Sequence, residues 1–420
     1  MENITTTAMG TQSRRSIDGL ARHLVLRQLS HLQQGVLEVQ DERGHEVLGD
    51  GNEAFPKAEL TVRDNSMWRD FLTGGSIGAA EAYVAGDWDS PDLVAFLRLF
   101  VRNIDQLNAF EDRFAWISKP VLKWLHWLNR NSVAGSRKNI EAHYDLGNDL
   151  FEQFLDPSMM YSSALFPSPG ATLAEAQHHK LDRICQKLDL QPGDRLIEIG
   201  TGWGGLAIHA ARHYGCHVTT TTISQAQYDW AAWRISEEGL EDRITLLADD
   251  YRDLQGQFDK LVSVEMIEAV GPDYLDGYMQ QISRLLRPGG TALLQAINMP
   301  EQRYRRALKN VDFIQRYIFP GSFIPSFGAI LESVRKTTDL TLLNLEDFGL
   351  DYARTLELWR ERFTANADRI RTLGYDDRFL RLWTFYFAYC EAGFAERAIG
   401  VAHLVFQKPG HAVTGNTQTL

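Results

Sequence analysis

A glycine-rich turn carries the clearest chemical signal in this 420-residue chain. The segment EIGTGWGG lies between a predicted strand, RLIEIG, and a predicted helix, GLAIHAARHY. Its glycines are Gly200, Gly202, Gly204 and Gly205. They let a ligand approach the backbone closely, and the amides that open the helix can receive an anionic or carboxylate group. Because the motif has this strand-to-helix context, it predicts a cofactor site.

The next predicted strand indicates which cofactor the turn binds. A dinucleotide site would have an Asp or Glu about 20 residues after the glycines, at the ribose. Here that strand ends in TTTTISQAQ and carries no acid. The combination of Glu198, GTGWGG and the later DDYRDL instead resembles the class I S-adenosylmethionine methyltransferases. That resemblance implies S-adenosylmethionine as the cofactor.

The same resemblance assigns residues to parts of the cofactor. It places Gly200 and Gly202 under the amino-acid part. The other assignments are Thr222 and Gln227 beside the ribose, Asp250 and Tyr251 beside the adenine, and Glu198 and Gly204 within the motif. A solvated loop is the alternative for the acids of DDYRDL, and for Asp253 we prefer it.

Histidines near the turn raise the question of a metal site. His209 and His213 are four residues apart on a predicted helix, and His217 follows. No acidic or cysteine ligand is in register with them, and the adjacent His178 and His179 are interpreted as surface residues. We therefore expect no metal.

The elements around the turn alternate between strand and helix from Arg195 onward. The predicted strands are RLIEIG, HVTTTTI, RITLLA, KLVSVE and TALLQAI. This order favours an α/β fold, with a doubly wound parallel sheet and helices on both faces. The class I resemblance implies the seven-stranded, Rossmann-like form of that fold.

The remainder of the chain predicts a smaller α+β module before this domain. GVLEVQD and HEVLG alternate like a hairpin around ERG, and Leu93, Phe96, Leu97 and Phe100 share one helical face. The predicted domains are an N-terminal lipid-binding or auxiliary module (1–112), a basic, Trp-rich linker (113–142), a catalytic domain (143–408) and a disordered tail (409–420).

Several motifs in one order resemble the cyclopropane fatty acid synthases and mycolic acid cyclopropane synthases. They are AHYDLGNDLFEQFLDPSMMYSSA, IEIGTGWGGLA, TISQAQ, ADDYRDL, VEMIEAVGPDYLDGY, RYIFPGSFIPS, FGLDYARTLELWRERF and YCEAGFAERAI. The resemblance implies transfer of the methyl carbon of S-adenosylmethionine to a cis double bond of a phospholipid acyl chain. It also implies that Tyr144 closes over the cofactor.

This chemistry sets two requirements for the site. Attack by an alkene on the sulfonium methyl leaves a carbocation, so water must be excluded and a proton acceptor must lie beside the new methyl. Aromatic rings stabilise such a charge. Phe313, Tyr317, Phe319, Phe323 and Phe327 are candidates to line a dry channel, with ordinary core aromatics as the alternative.

The family's usual proposed base is a bicarbonate ion. By resemblance, Glu268 and Tyr352 hold this ion, and Ile297 supplies a backbone group. Two other holders differ from the family pattern: Ser163 replaces a usual Cys, and Gln295 replaces a usual His. Both side chains can donate hydrogen bonds to an oxyanion.

These differences leave the product open. Loss of the His removes a group that titrates near neutral pH, so proton loss elsewhere or a hydride shift would give a methyl-branched chain. In that case Glu268 itself is a candidate base. Cyclopropane formation is the preferred prediction. A small-molecule methyltransferase and a lipid-binding protein that has lost catalysis are the alternatives.

A basic, Trp-rich stretch suggests how such an enzyme reaches its substrate. Residues 113–138 read RFAWISKPVLKWLHWLNRNSVAGSRK, without an acid, although the chain carries a net charge of −12. Lys119, Lys123 and Arg130 would contact anionic headgroups, and the indoles favour the interface. A buried linker helix is the alternative.

Composition limits the remaining possibilities. The acidic balance argues against nucleic-acid binding. The first residues show no signal peptide, no apolar run is long enough to span a bilayer, and three cysteines form no CxxC pair. We expect a cytoplasmic enzyme at the inner face of the membrane, with unsaturated phospholipid as its partner and homodimerisation left open.

Overall fold

The structure is a computed structural model that describes residues 17–49, 56–107 and 146–410. These residues form two compact units that interleave along the chain. The first contains the described residues up to 107, together with Asn310–Ile318 and Phe363–Ala398. Two segments of the region predicted as catalytic, 143–408, therefore cluster with the N-terminal part. The predicted linker 113–142, with its basic Trp-rich stretch, and Tyr144 lie outside the described residues.

The first unit contains a four-stranded sheet with the order β2-β1-β3-β4. Its strands are β1 (Val36–Asp41), β2 (Gly44–Gly49), β3 (Lys57–Val62) and β4 (Trp88–Asp89). β1 and β2 pair antiparallel, which confirms the predicted hairpin, and β1 pairs parallel with β3.

Among its described residues this unit also contains helices, two of which, Ser66–Ala85 and Leu93–Arg102, contact the strands. One helix includes residues 17–29, and others are Ser66–Ala85, Leu93–Arg102, Phe313–Tyr317, Ala367–Thr372 and Asp377–Ala395. Asp92 caps the helix Leu93–Arg102 by accepting a hydrogen bond from Ala95 N. Its buried residues are Leu93, Phe96, Leu97 and Leu99, and the partly buried Phe100 packs on Phe96 with ring centroids 4.7 Å apart.

The second unit contains a seven-stranded sheet with the order β10-β11-β9-β8-β5-β6-β7. Strands β5 to β8 pair parallel where they are adjacent, as do β8 and β9, whereas β11 runs antiparallel to β9 and β10. The strands are β5 (Arg195–Ile199), β6 (His217–Thr221), β7 (Ile244–Leu247), β8 (Phe258–Val264), β9 (Leu286–Asn298), β10 (Thr341–Asp347) and β11 (Gly400–Gln407). This sheet confirms the predicted α/β class.

Alternation along the strands builds a core on each face of this sheet. In β5, Leu196 packs on one face, while Ile197 and Ile199 pack in the cluster on the other. The α-helices of this unit are Asn148–Phe151, Leu173–Lys187, Gly205–Tyr214, Gln225–Glu237, Leu275–Leu285, Glu301–Ala307, Phe327–Thr337 and Gly349–Ala365. Two 3-10 turns, Ile267–Ala269 and Pro272–Tyr274, follow β8.

The parallel strands end at a common edge, which is where ligands bind in open α/β sheets. The glycine turn follows β5, and the segment 265–268 follows β8 at the same edge. No helix within the described ranges is long and apolar enough to cross a membrane.

Candidate active site

The glycine turn has the backbone that its sequence requires. Gly200, Gly202 and Gly204 have φ angles of 101°, 52° and 87°, a region that side chains disfavour. The N–H groups of Gly200 and Thr201 both donate to Thr221 O, at 3.2 and 3.0 Å. A Cβ built on Gly202 meets no atom within 4 Å. The turn therefore has an open side at Gly202, where a ligand can approach the backbone.

Glu198 lies beneath the turn and is buried, with 3% of its surface exposed. Thr220 donates to its Oε2 at 2.6 Å, and Thr201 in turn contacts the Thr220 hydroxyl at 2.7 Å. Burial raises the pKa of Glu198 to about 8. Glu198 thus links β5 to β6, and its predicted part in cofactor binding stays a prediction.

The two residues predicted beside the ribose contact each other. The Thr222 hydroxyl donates to Gln227 Oε1 at 2.8 Å. Ser224 caps the helix Gln225–Glu237 by accepting a hydrogen bond from Gln227 N at 3.3 Å. The helix start therefore fixes Gln227 next to the end of β6.

The residues predicted beside the adenine form a local ion pair. Arg252 donates to both carboxylate oxygens of Asp250, at 2.8 and 2.6 Å. The Arg252 guanidinium lies 5.5 Å from the centre of the Tyr251 ring, which is within the range of a cation–π contact. Asp249 and Asp253 are exposed, as the solvated-loop alternative predicts for Asp253. Asp250 is thus held in place by Arg252.

The centre of the site is a carboxylate to which the sequence analysis gave no role, that of Glu265. Ser163 N and Gln295 Nε2 donate to its Oε1, at 2.9 and 2.7 Å. The Tyr352 hydroxyl donates to its Oε2 at 2.7 Å. Three of the five residues predicted to hold an anion therefore hold Glu265. The available signal was a second acid, three residues before Glu268 and directly after β8.

The backbone of Glu265 is strained. Its φ of 49° lies in the left-handed region that residues with a Cβ rarely adopt. Glu265 N donates to Gln295 O at 2.8 Å, which anchors this conformation to β9. Such strain costs on the order of 1–3 kcal/mol and concentrates at functional sites. The local conformation directs the carboxylate towards its donors at a cost in stability.

Glu268 has a different environment. Ile297 N donates to its Oε1 at 2.5 Å, whereas its Oε2 is buried and makes no hydrogen bond to another described residue. Burial and the neighbouring Glu265 charge raise the pKa of Glu268 to about 8. Burial also raises the pKa of Glu265, so both carboxyl groups favour the protonated form more than a free glutamate does.

A second layer fixes the Gln295 amide. His403 Nε2 lies 3.0 Å from Gln295 Oε1, and Lys187 Nζ lies 2.9 Å from His403 Nδ1. Because the ammonium can only donate, His403 accepts at Nδ1 and donates from Nε2 to the amide oxygen. Burial and nearby cations keep the pKa of His403 well below its usual value. The Gln295 NH₂ group therefore points to Glu265.

Two predicted anion holders act differently from the expectation. The Ser163 hydroxyl donates to Ala164 O at 2.9 Å, so Ser163 contacts the carboxylate through its backbone N–H instead. Ile297 N donates to Glu268. With Ser163 N, Gln295 and Tyr352 all bound to Glu265, these donors are not available to a separate bicarbonate ion. The residues present do not fit that ion.

An aromatic cluster connects the glycine turn to Tyr352. Trp203, in the turn, packs on Phe151 with ring centroids 4.8 Å apart, and Phe151 packs on Tyr161 at 5.2 Å. Trp359 contacts Tyr161 at 5.3 Å and Tyr352 at 6.1 Å. Sequence analysis missed this cluster, because its members are distant along the chain. It supplies an apolar, electron-rich wall beside the carboxylates.

The candidate channel aromatics divide between the two units. Phe313 packs on Phe385 in the first unit, with ring centroids 4.8 Å apart. In the second unit, Phe319 lies 6.4 Å from Tyr161, and Phe323 belongs to the buried core of the sheet. Phe319 is therefore the candidate that extends the cluster.

The glycine turn and the carboxylates are neighbours. A Cβ built on Gly200 lies 3.5 Å from Met266 Cγ, and Met266 follows Glu265 directly. Ser263, at the end of β8, donates to Ile199 O at 2.9 Å. A ligand at the turn would therefore lie next to both Glu265 and Glu268.

A group of histidines lies outside this region. Ligand atoms of His178, His209 and His213 all lie within 4.8 Å of one another. Asp182 Oδ1 lies 3.0 Å from His209 Nε2, so the expectation that no acid is in register with these histidines is wrong. The signal was present in the sequence, because His178 and Asp182 are four residues apart on one helix.

The sheet order and the glycine turn define a class I S-adenosylmethionine-dependent methyltransferase. Residues 132–404 match the family described as Mycolic acid cyclopropane synthetase. The chain belongs to this family, which confirms the resemblance stated from its motifs.

Two curated relatives cover most of the chain. The tuberculostearic acid methyltransferase of Mycobacterium tuberculosis is 39% identical over 350 residues, which are 79% of this chain and 79% of that protein. The cyclopropane-fatty-acyl-phospholipid synthase of Escherichia coli is 38% identical over 363 residues, 84% of this chain and 88% of that protein.

Solved structures agree with this fold. Mycolic acid cyclopropane synthase CmaA1, complexed with SAH and CTAB, has a TM-score of 0.61 and 30% identity and covers 65% of this chain and 98% of its own. Coclaurine N-methyltransferase has a TM-score of 0.59 and covers 78% of this chain and 98% of its own. Because it is only 19% identical, it supports the fold alone.

Proposed function

We propose that this protein transfers the methyl carbon of S-adenosylmethionine to a cis double bond of an unsaturated, phospholipid-bound acyl chain, and that proton loss then closes a cyclopropane ring. The observation that carries the proposal is the contact of the glycine turn with the segment bearing Glu265 and Glu268. The curated relatives, named for fatty acyl substrates, support the substrate class.

The residues of the chain meet the needs of this reaction. S-adenosylmethionine, when bound at the glycine turn, supplies an electrophilic methyl group. The open side of the turn at Gly202 gives its amino-acid part access to the backbone. The cluster of Trp203, Phe151 and Tyr161 excludes water that would trap a carbocation, and its rings stabilise the positive charge.

A methyl-branched product is the second candidate. It is favoured by the similarity to the tuberculostearic acid methyltransferase, which is no lower than the similarity to the cyclopropane synthase. Both outcomes share the carbocation, and the branched product arises when that cation loses a proton elsewhere or undergoes a hydride shift instead of closing the ring. Ring closure requires a base beside the new methyl, and the carboxylates at the end of β8 provide one.

Access to acyl chains requires contact with a membrane surface. Arg305, Arg306 and Lys309 are exposed on and just after the helix Glu301–Ala307, and they offer cations to anionic headgroups. The basic stretch 113–138 adds to this proposal from its sequence. We assign the enzyme to the cytoplasmic side, on the inner face of the membrane.

The test is a product analysis. The purified protein is incubated with S-adenosylmethionine and vesicles that contain a mono-unsaturated phospholipid, and the acyl chains are examined by proton NMR. A shielded ring methylene that survives hydrogenation supports cyclopropane formation. A methylated alkene supports the second candidate. Binding of S-adenosylmethionine without turnover would show a lipid-binding protein, and methylation of a soluble amine alone would show a small-molecule enzyme.

A further inference from the structure

We propose that Glu265 is the proton acceptor of ring closure, and that its carboxylate takes the place that the family gives to a bicarbonate ion. This inference rests on the proposed function. It adds a catalytic residue that the sequence motifs did not identify, and it makes the reaction independent of an exogenous anion.

The hydrogen bonds around Glu265 form an anion site that the chain itself fills. One backbone N–H, one amide NH₂ and one phenol converge on its two oxygens at 2.7–2.9 Å. The donors come from residues 163, 295 and 352, and Ser163 and Gln295 are buried, at 0% and 1% exposure. A site with three convergent donors stabilises the charged form of the group that it binds.

Burial is the largest influence on both carboxyl groups and raises the pKa of each, but the groups that face them differ. Glu265 receives three hydrogen bonds and the field of the buried Lys180, and each of these lowers its pKa against the effect of burial. Glu268 receives one backbone hydrogen bond and the repulsion of Glu265, so its pKa is raised to about 8. Because three donors hold Glu265 and one holds Glu268, we assign the negative charge of the pair to Glu265 and the proton to Glu268.

The position of Glu265 suits the proton that must leave. Met266, the next residue, lies against Gly200, where the methyl donor binds. Tyr352, which holds the carboxylate, is also a member of the aromatic cluster. Glu265 therefore lies next to a residue at the glycine turn, and its carboxylate is held by a member of the aromatic cluster.

The step balances without another reactant. The alkene π electrons form a bond to the methyl carbon, and the methyl–sulfur bond breaks with its electron pair remaining on sulfur. Glu265 then takes one proton from the new methyl group, and the electrons of that C–H bond close the ring onto the cationic carbon. The resulting carboxylic acid later returns its proton to water.

Two substitutions distinguish a catalytic role of Glu265 from a structural one. Glu265→Gln keeps the shape and removes the basicity. Glu265→Gly removes the carboxylate, relieves the positive φ and leaves the three donors free for an added anion. The exposed Glu237→Gln is the matched control. Turnover on mono-unsaturated vesicles and SAH affinity are measured for each, with CO₂-depleted buffer and with added bicarbonate or formate.

The expected result is a loss of about 100-fold or more in turnover for Glu265→Gln, the range of general-base catalysis, with SAH affinity within about threefold of the wild type. Added bicarbonate or formate should partly restore the turnover of Glu265→Gly. Wild-type turnover should not change on CO₂ depletion.

Two results would overturn the role of Glu265 and leave the proposed function intact. One is a turnover of Glu265→Gln within threefold of the wild-type turnover, and the other is wild-type turnover that requires bicarbonate. A wild type that alkylates no lipid would overturn the proposed function together with this inference.

The histidine group supports a second, independent proposal: the geometry points to a zinc site formed by His178, His209, His213 and Asp182. The helices Leu173–Lys187 and Gly205–Tyr214 each contribute a pair four residues apart, so both pairs lie on facing helical surfaces. Three imidazoles and one carboxylate match a tetrahedral zinc shell.

The local chemistry favours metal binding over a simple ion pair. The buried His209 has Nε2 3.0 Å from Asp182 Oδ1, so ligand atoms from the two helices already converge. Ligand atoms within 4.8 Å are close to the separation of roughly 3.4 Å set by zinc bonds of about 2.1 Å. The exposed His178 and His213 can rotate to close that difference.

Zinc titration of the full chain against a chromophoric chelator tests this site. We expect one zinc ion per chain, a rise in the unfolding temperature with zinc, and at least tenfold weaker binding in the double variant His178→Ala/His213→Ala. His179→Ala, which changes the adjacent histidine, is the matched control and should bind like the wild type. Zinc binding that is equal in the double variant, or no binding at micromolar zinc, would overturn the proposal.

Discussion

At the scale of residues, the decisive feature is the pairing of Glu265 with donors that are far away in sequence. The motif VEMIEAVG drew attention to Glu268, because the family resemblance names it. Glu265 could not be assigned from sequence, because its role depends on contacts with residues 163, 295 and 352 and on a positive φ. The sequence analysis predicted that Ser163, Gln295 and Tyr352 surround a bicarbonate ion. In the structure they surround the carboxylate of Glu265.

Lys180 provides a prediction at this scale. It is fully buried and donates to Ser162 Oγ at 2.7 Å. Burial raises the pKa of Glu265, and the charge of Lys180 opposes that rise. Lys180→Met should therefore raise the pKa of Glu265 and move the acidic limb of the kcat/KM profile to higher pH. The exposed Lys336→Met is the control, and its profile should overlay that of the wild type. An unmoved acidic limb in Lys180→Met would contradict this account.

Glu198 provides a prediction about stability. Its pKa is raised from 4.5 to about 8, so the folded state favours its protonated form. The contribution of Glu198 to the free energy of unfolding is present below about pH 4.5 and is lost as pH rises towards 8. Glu198→Gln should remove this loss of stability at high pH. The loss is on the order of a few kcal/mol, because each pKa unit corresponds to about 1.4 kcal/mol.

The measurement is urea unfolding of the wild type, Glu198→Gln and the exposed control Glu237→Gln, at pH 5 and pH 8.5. Relative to the wild type, Glu198→Gln should gain stability at the higher pH, whereas the control should not. A difference from the wild type that is the same at both pH values would refute the buried-acid interpretation.

At the scale of elements, the parallel strands and the glycine turn were predictable. β5, β6, β7 and β8 follow from short apolar runs between helical patterns, and the turn follows from its glycines. The predicted strand TALLQAI begins at Thr291, whereas β9 already begins at Leu286 and includes the segment RPGG. The clustering of Asp377–Ala395 with the N-terminal unit was not predictable, because periodicity does not reveal the partner of a helix.

The glycine turn gives a matched pair of substitutions. A Cβ on Gly202 meets nothing within 4 Å, whereas a Cβ on Gly205 would lie 2.8 Å from Ser158 O and 2.9 Å from Met160 Sδ. Gly202→Ala should cost only about 1–2 kcal/mol of stability for its left-handed backbone, yet weaken SAH binding more than tenfold. Gly205→Ala should mainly lower the unfolding temperature. Isothermal titration and thermal melts measure both effects, and unchanged SAH affinity in Gly202→Ala would be evidence against a cofactor at the open side.

At the scale of the whole molecule, a net charge of −12 must be reconciled with binding to anionic membranes. Local cationic patches can do this, because charges beyond about 8–10 Å are screened at physiological salt. Arg305 and Lys309 form such a patch among the described residues. The basic, Trp-rich stretch 113–138 lies outside the described residues and stays a prediction.

Vesicle co-sedimentation tests the patch. Arg305→Glu/Lys309→Glu should weaken binding to anionic vesicles several-fold at low salt, and the difference should shrink as salt rises. The control Arg335→Glu/Lys336→Glu changes the net charge equally on the helix Phe327–Thr337. Equal loss of binding in both variants would indicate a net-charge effect and contradict a local site. Replacing Lys123 and Arg130 by Glu applies the same test to the stretch 113–138.

The most direct test of the central claim follows the methyl hydrogens. The wild type and Glu265→Gln are given S-adenosylmethionine deuterated on its methyl group, with mono-unsaturated phospholipid vesicles, and the acyl products are analysed by mass spectrometry. The account predicts a wild-type product that retains two of the three deuterons in a ring methylene, and a large loss of this product in Glu265→Gln. A product that retains all three deuterons, or undiminished ring formation in Glu265→Gln, would contradict it.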